Sequence, residues 1–346
     1  MDEVYTSLLS KLRHARNLKE FHVVCMPDFF LDYFISLPRW EKVIPQLKEI
    51  HDRGGGNLPG LKLTLSQGGN ATNTALALAK LGISTHIVGR TSSLGYKLMC
   101  HFLESDGVDL KHVKTDGKLD KTVSLEFGEK RINVMLNELG SVQNFDFTDL
   151  NKDDLELISS SDLVFVTNWT LNDRGTSLAQ KTFRYAKEHD VITYFDSGDP
   201  SHRIRELPVL YARVLSSSNL DVLSVNENEL RHFASAKGIK GNPTNMAKQL
   251  SIHINAILDV HTSRFSSSWR KGEAHHAPVF KVELKRSTGA GDAWNAANML
   301  GYLLGLEPEE RLTFANAFAA GYLNADEPRH LTLKETVTFL KRAEPV

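Results

Sequence analysis

The chain has 346 residues, of which 41% are hydrophobic and 24% are charged, and its formal net charge is −1. This composition is typical of a globular protein, and the near-zero charge argues against a nucleic acid or an anionic membrane as partner. The two cysteines, Cys25 and Cys100, cannot build a disulfide framework, so we expect a reducing, cytoplasmic setting. The charged first residues do not resemble a secretory signal, and no apolar run reaches the roughly 20 residues that cross a bilayer.

In chain order, short apolar runs alternate with longer helical patterns. The runs interpreted as strands are residues 21–25, 85–89, 162–166, 191–195, 221–225, 254–260 and 280–284, and helical patterns cover residues 71–81, 94–105, 176–189 and 227–236. Most of these runs are continuously apolar, as expected for parallel strands that are covered on both faces. The repeated strand–helix order predicts an α/β fold with a doubly wound, mostly parallel sheet and helices on both faces. Such sheets bind ligands beyond the carboxyl ends of their strands.

Two segments interrupt this order, at about residues 33–66 and 118–143. The second contains residues 121–140, whose two arms alternate around a turn near Gly128 and therefore predict a hairpin. We expect the two segments to form a small β lid on one domain that spans residues 1–346. The alternative is a surface excursion without a role. Helices at 311–323 and 333–340 are expected to close one flank of the sheet.

The stretch STGAGDAWNAANMLGYLLG, residues 287–305, reads as a glycine turn followed by a helix. Because Gly289, Ala290 and Gly291 carry little side chain, the unpaired N–H groups of the helix start are open to an anion such as phosphate. Asp292 lies in the same turn, where the helix dipole should keep its carboxylate ionised and able to accept a proton from an attacking hydroxyl. An ordinary helix cap is the alternative.

A second polar pair, Asn226 and Glu229, follows the predicted strand 221–225. The two residues are three positions apart, so one helix face can carry both. Oxygen ligands of this type suit Mg²⁺, which usually keeps several waters. A capping box is the alternative reading, and both can hold together. The chain has no Gly-x4-Gly-Lys-Ser/Thr motif, which argues against a Walker-type NTPase.

Together with GGNATNTALALAKLG at residues 68–82, these stretches resemble the pfkB/ribokinase family of sugar and nucleoside kinases, and the resemblance spans residues 21–323. It implies a ribokinase-like fold with a β lid. It also implies transfer of the terminal phosphate of a nucleotide, ATP or ADP with Mg²⁺, to a hydroxyl of a small substrate. In this reading Asp292 is the catalytic base, residues 289–291 form the anion hole, and Asn226 and Glu229 organise Mg²⁺ through water.

The resemblance also implies residues that bind the two substrates. Those for the acceptor are Gly68, Gly69, Asn70, Asn168, Arg131 and Asp32, with Asp28 as a rival to Asp32 because the spacing does not fit cleanly. Those for the nucleotide are Asn226, Asp196, Thr262, Arg264 and Thr288, with the base over Asn316 and Ala320. Core packing explains the small residues of that last helix equally well.

The sequence departs from the family pattern at three places. Ser263 and Ser266 stand where glycines are common, and Arg264 between them either contacts a phosphate or is solvated. Arg286 stands where the family often has an aspartate that helps to bind a monovalent cation, so we predict activity without K⁺. Basic residues of the lid segments, Arg53, Lys130 and Arg131, would suit a phosphorylated substrate, but exposed charges are the preferred reading.

The substrate remains open between a sugar, a nucleoside and a sugar phosphate such as ribose 1-phosphate. A nucleotide- or sugar-binding sensor without catalysis is the alternative from another class, and the presence of Asp292, Asn226 and Glu229 argues against it. A nicotinamide oxidoreductase is excluded, because no Gly-x-Gly-x-x-Gly follows strand 21–25. The pair His275–His276 is read as a surface turn rather than a metal site. The family resemblance also implies a homodimer formed through the lid.

Overall fold

A computed structural model describes residues 2–128, 132–285, 288–325 and 329–346. Its strands are β1 His22–Met26, β2 Phe30–Leu37, β3 Lys62–Gly68, β4 Ser84–Ile87, β5 Gly89–Arg90, β6 Val113–Lys114, β7 Asp120–Phe127, β8 Ile132–Glu138, β9 Leu163–Val166, β10 Ile192–Asp196, β11 Val222–Asn226, β12 Ile257–His261, β13 Phe265–Arg270 and β14 Glu273–Pro278. Its helices are α1 Asp2–His14, α2 Trp40–Asp52, α3 Asn70–Leu81, α4 Ser93–Leu103, α5 Lys152–Ser160, α6 Gly175–Lys187, α7 Leu207–Leu210, α8 Glu227–Ala236, α9 Pro243–His253, α10 Ala290–Leu303, α11 Pro308–Asn324 and α12 Leu333–Leu340. In the part of the chain that is described, none of the helices combines the length and apolar character needed to cross a membrane.

The large sheet has the strand order β14-β13-β12-β11-β10-β9-β1-β4. The strands from β12 to β4 pair in parallel, whereas β13 and β14 add an antiparallel edge. Two hydrophobic cores lie on the two faces of this sheet, and alternate side chains of the parallel strands pack into one or the other. In β1, Val23 belongs to the hydrophobic core that contains residues of α3, α10 and α11, whereas Val24 belongs to the core that contains residues of α6, α8 and α9. This two-faced burial explains the continuously apolar strands.

The antiparallel edge corrects two sequence interpretations. Residues 280–284 do not form a strand: Phe280 is buried in the core and makes only an isolated bridge to Pro345. The edge positions are occupied instead by the β13–β14 hairpin, whose turn residues Lys271 and Gly272 both have positive φ. The pair His275–His276 therefore lies in edge strand β14 rather than in a surface turn, and His275 Nδ1 is 2.7 Å from Glu309 Oε1.

A second, smaller sheet has the order β3-β2-β7-β8. Strands β7 and β8 are antiparallel and Gly128 follows β7 with φ 65°, as the hairpin pattern predicts. The sheet has a polar face, on which Asp32 pairs with Ser66 and Thr122. Its other face is apolar. The sheet is tied to the main body where β3 runs directly into α3.

Candidate active site

The junction between β3 and α3 brings two aspartates against two glycines. Backbone N–H groups at the start of α3 donate to Asp28: the amide of Asn70 lies 2.9 Å from Oδ2 and that of Ala71 lies 2.8 Å from Oδ1. A Cβ placed on Gly68 would lie 2.1 Å from Oδ2 of Asp32. Gly69, the N-cap of α3, has φ 97°, and a Cβ there would lie 3.0 Å from Oδ2 of Asp28. Glycine therefore stands at both positions because the carboxylates lie where side chains would be.

The two aspartates differ in what remains open to a ligand. Asp28 is 1% exposed, and Oδ2 also accepts a hydrogen bond of 2.8 Å from Nδ2 of Asn168, so its carboxylate serves as a buried cap of α3. Asp32 is only half-buried. Burial raises the pKa of Asp32 to about 6, while the Thr122 hydroxyl acts in the opposite direction. Of the two candidates, Asp32 is the carboxylate with accessible surface.

Asp292 lies in the first turn of α10. The N-cap, Gly289, has φ 85°, and a Cβ there would lie 2.7 Å from Oη of Tyr322, so only glycine fits. The residues from Thr288 to Gly291 are partly exposed, whereas Asp292 is 8% exposed. The helix start thus places partly exposed residues, whose first-turn N–H groups lack intrahelical partners, beside a nearly buried carboxylate.

Asn73 donates from Nδ2 to Oδ2 of Asp292 at 2.9 Å, and the motif analysis missed this residue. It lies three positions after Asn70, so the available signal was a second asparagine on the same face of the helix. Its contact with Asp292 depends on the packing of α3 against α10, which no local pattern reveals.

The surroundings of Asp292 oppose the ionisation that the helix dipole favours. Burial raises the pKa of Asp292 well above its usual range, the hydrogen bond from Asn73 lowers it, and the nearby carboxylates of Asp196, Asp28 and Asp32 raise it further. The helix-dipole argument considered only the local turn and omitted desolvation and like charges. A carboxylate with a raised pKa is a better proton acceptor, because its conjugate acid holds the proton more tightly.

Asp196 ends β10 and is held by two donors. The amide of Gly198 lies 2.9 Å from Oδ1, and Nδ2 of Asn295 lies 2.7 Å from Oδ2. Asn295 is on α10, one turn after Asp292, and its Oδ1 accepts a hydrogen bond of 2.6 Å from the Ser224 hydroxyl. The helix that carries Asp292 therefore also fixes Asp196.

Asn226 and Glu229 form the capping box of α8. Oδ1 of Asn226 accepts from the amide of Glu229 at 3.0 Å, and the Glu229 carboxylate accepts from the amide and from Nδ2 of Asn226. Burial raises the pKa of Glu229 well above its usual range, and Asp196 adds to this effect. Within the described ranges no group of three or more His, Cys, Asp or Glu side chains is arranged to hold a metal ion. The pair fits a hydrated ion better than a directly ligated one, because its oxygen atoms already accept hydrogen bonds.

The remaining predicted nucleotide residues lie in two places. Thr262 organises the turn after β12 by accepting from the amides of Arg264 and Phe265, each at 3.1 Å, and Arg264 is exposed. Asn316 and Ala320 are 5% and 4% exposed. The Asn316 side chain accepts a hydrogen bond from the Trp294 indole and donates one to the Pro278 carbonyl. Both residues therefore lie in the packed core. The predicted residues Lys130, Arg131 and Arg286 lie outside the described residues.

The sheet order, the helices on both faces and the small sheet define a ribokinase-like α/β fold. Ribokinase from Arabidopsis thaliana, solved with ribose and ATP, superposes with a TM-score of 0.72 at 20% identity, covering 93% of this chain and 98% of that one. Adenosine kinase from Sinorhizobium meliloti superposes with a TM-score of 0.73 at 18% identity, covering 94% and 99%. The fold predicted from sequence is confirmed.

The chain belongs to the pfkB family of carbohydrate kinases, whose family model matches residues 43–327. It is similar to 5-dehydro-2-deoxygluconokinase of Clostridium perfringens, with 25% identity over 266 residues, 73% of this chain and 77% of the relative. The corresponding enzyme of Bacillus anthracis is 24% identical over 267 residues, 73% and 78% of the two chains. The protein is thus a carbohydrate kinase, a phosphotransferase with an alcohol group as acceptor, as the sequence motifs predict.

Proposed function

We propose that this kinase transfers the terminal phosphate of a nucleotide, ATP in the first place, to a hydroxyl of a small sugar, with Asp292 as the general base. The observation that carries the proposal is the position of the Asp292 carboxylate, which accepts a hydrogen bond from Asn73 and lies beside the partly exposed residues at the start of α10. An acceptor hydroxyl next to Asp292 loses its proton to the carboxylate as its oxygen attacks the terminal phosphorus. The bond from that phosphorus to the bridging oxygen breaks, and the nucleotide leaves with one phosphate fewer (ADP when ATP is the donor).

The anion hole is assigned to the backbone of residues 289–291. Free N–H groups at the start of a helix stabilise the negative charge of the transferred group, and they need no reorganisation during the reaction. Positioning and electrostatic stabilisation supply most of the rate enhancement in phosphoryl transfer. Thr288 and the exposed Arg264 would contact the nucleotide from either side of this helix start.

The acceptor is assigned to the polar face of the small sheet and to the β3–α3 junction. Asp32 would accept hydrogen bonds from sugar hydroxyls, and Gly68 allows the carboxylate to lie close to the backbone. Asp28 and Asn168 would act indirectly, by holding the start of α3 in place. The small sheet would act as a lid, because Asn133 of β8 already contacts the Thr288 hydroxyl at 3.4 Å.

Mg²⁺ carried by the nucleotide would supply charge neutralisation on the phosphates. Asn226 and Glu229 are the residues assigned to hold it, through water, and Asp196 lies near them. Because the side-chain oxygens of Asn226 and Glu229 already accept hydrogen bonds, these residues would contact the water shell of the ion rather than ligate it directly.

One panel of activity assays tests which acceptor and which phosphate donor the enzyme uses. Sugars, sugar acids, nucleosides and sugar phosphates, including ribose 1-phosphate, are each assayed with ATP and with ADP. A neutral sugar or a sugar acid with ATP is the expected pair, since relatives of this chain are named 5-dehydro-2-deoxygluconokinase. Preferential turnover of a nucleoside or of a sugar phosphate would favour those alternatives. Nucleotide binding without transfer to any acceptor would favour the sensor.

We also propose a homodimer that forms through the apolar face of the small sheet. Two cross-strand rows cover this face, Leu65-Tyr33-Val123-Leu136 and Leu63-Ile35-Leu125-Val134. Their outer members are 46–63% exposed. The charged residues in the next row of this face, Lys121 and Glu138, pair with each other at 2.8 Å, so the two apolar rows suit a second copy of themselves. Analytical ultracentrifugation of Leu65→Lys and Leu136→Lys should show monomers where the wild type shows dimers, and a monomeric wild type would refute the proposal.

The two thiols, Cys25 and Cys100, are free. We therefore propose a cytoplasmic location, where thiols stay reduced.

A further inference from the structure

His261 lies beside the assigned anion hole and has no part in the function proposed above. It is the last residue of β12, at the carboxyl end of the sheet, and it pairs in register with Asn226 of β11. Its ring stacks on the indole of Trp294, with centroids 4.8 Å apart and an angle of 28° between the planes. Trp294 is two residues after Asp292 on α10. The stacking therefore fixes the imidazole plane relative to the helix start.

The ring is oriented toward the residues of the anion hole. Its Cε1 atom lies 3.4 Å from the position that a Cβ on Gly291 would occupy. Cε1 is the atom between the two ring nitrogens, so the edge that faces Gly291 is the polar edge. The glycine leaves this edge uncovered by a side chain.

One ring nitrogen is buried without a partner. Nε2 of His261 makes no hydrogen bond to any residue in the described parts of the chain. Buried polar atoms are paired in the great majority of cases, and an unpaired one costs free energy, so an orphan next to an anion-binding helix start indicates a partner that arrives with a ligand. Burial lowers the pKa of His261 to about 4, so the ring is neutral and carries one N–H donor.

We infer that His261 is a binding residue for the phosphate chain of the nucleotide, to which its ring N–H donates a hydrogen bond next to the amides of residues 289–291. The inference rests on the proposed function, since it places the nucleotide at this helix start. A phosphate oxygen is the acceptor that the neighbouring amides select, because they too can only donate. A neutral donor adds to this set without neutralising the carboxylates of Asp292 and Asp196.

The test is calorimetric binding of ADP and of adenosine to the full chain. His261→Phe and His261→Leu both remove the N–H, and Phe keeps an aromatic ring on Trp294. His261→Asn keeps an N–H donor. We expect both apolar variants to bind ADP about tenfold more weakly, as for a lost hydrogen bond to a charged group, while their adenosine affinity stays unchanged. His261→Asn should recover most of the ADP affinity.

Unchanged ADP affinity in the apolar variants would overturn the inference. An equal loss of affinity for ADP and for adenosine would also overturn it, because the imidazole would then only support the local structure. The outcome is separable from that of the proposed function. If the wild type binds ADP and phosphorylates none of the acceptors, the kinase mechanism fails while the binding comparison still decides the role of His261. If the wild type binds no ADP, both proposals fall.

Discussion

Replacing Gly68 by alanine should damage acceptor binding without unfolding the protein. A Cβ at this position would lie 2.1 Å from Oδ2 and 2.5 Å from Oδ1 of Asp32, far inside contact distance. Gly68 does not have a positive φ, so alanine introduces no backbone strain and the melting temperature should change little. The carboxylate must therefore move, by about 1 Å to reach an ordinary contact distance. A misplacement of about 1 Å costs on the order of 100-fold in rate, which we expect in kcat/KM for the acceptor.

The assay is steady-state kinetics with the acceptor found in the panel, together with thermal unfolding. Because the effect acts through Asp32, Gly68→Ala should add little in an Asp32→Ala background, which a double-mutant cycle measures directly. The KM for the nucleotide should stay near the wild-type value. Unchanged acceptor kinetics in Gly68→Ala, or an equal loss in the Asp32→Ala background, would refute the role assigned to Asp32.

Three further predictions concern the Asn73–Asp292 hydrogen bond, the Arg311–Asp259 ion pair and the dependence on K⁺. Asn73→Ala removes the hydrogen bond that lowers the pKa of Asp292, so the acidic limb of the kcat/KM profile should move to higher pH; an unmoved limb would exclude Asn73 as the orienting residue. Arg311→Met leaves the fully buried Asp259 carboxylate without its ion-pair partner, 2.6 Å away, and should cost about 3–5 kcal/mol in the free energy of unfolding measured with urea; a loss below about 1 kcal/mol would contradict this account. Replacing K⁺ by a bulky organic cation should leave turnover unchanged, because the sequence has Arg286 where the resemblance implies an aspartate that helps to bind a monovalent cation, and a large loss of rate would refute this.

The parallel strands were predictable because most of them are apolar on both faces. The run at residues 162–166, for example, corresponds to β9 Leu163–Val166. The antiparallel edge was not predictable in the same way. Ser266, Ser267 and Ser268 of β13 are 0–5% exposed, yet three serines do not read as a buried strand. The lysine in the left-handed turn at Lys271 gave no turn signal either, because such turns favour Asn, Asp or Gly.

The site was predictable where its chemistry is local. A strand, a glycine turn and a helix start are contiguous in sequence, so the motif around Asp292 could be located from the sequence alone. The partner of that carboxylate could not, because Asn73 is 219 residues away and reaches it through the packing of α3 against α10. The raised pKa of Asp292 depends on burial and on carboxylates from three other segments, which sequence spacing does not reveal.

Turnover of Asp292→Asn tests the central claim most directly. The substitution keeps the side-chain shape and removes a carboxyl group whose burial disfavours ionisation, so the variant should fold, melt at the wild-type temperature or above, and bind ADP normally. Loss of a general base should lower kcat by about 100- to 10,000-fold. A correctly folded Asp292→Asn protein that phosphorylates the acceptor at nearly the wild-type rate would contradict the account.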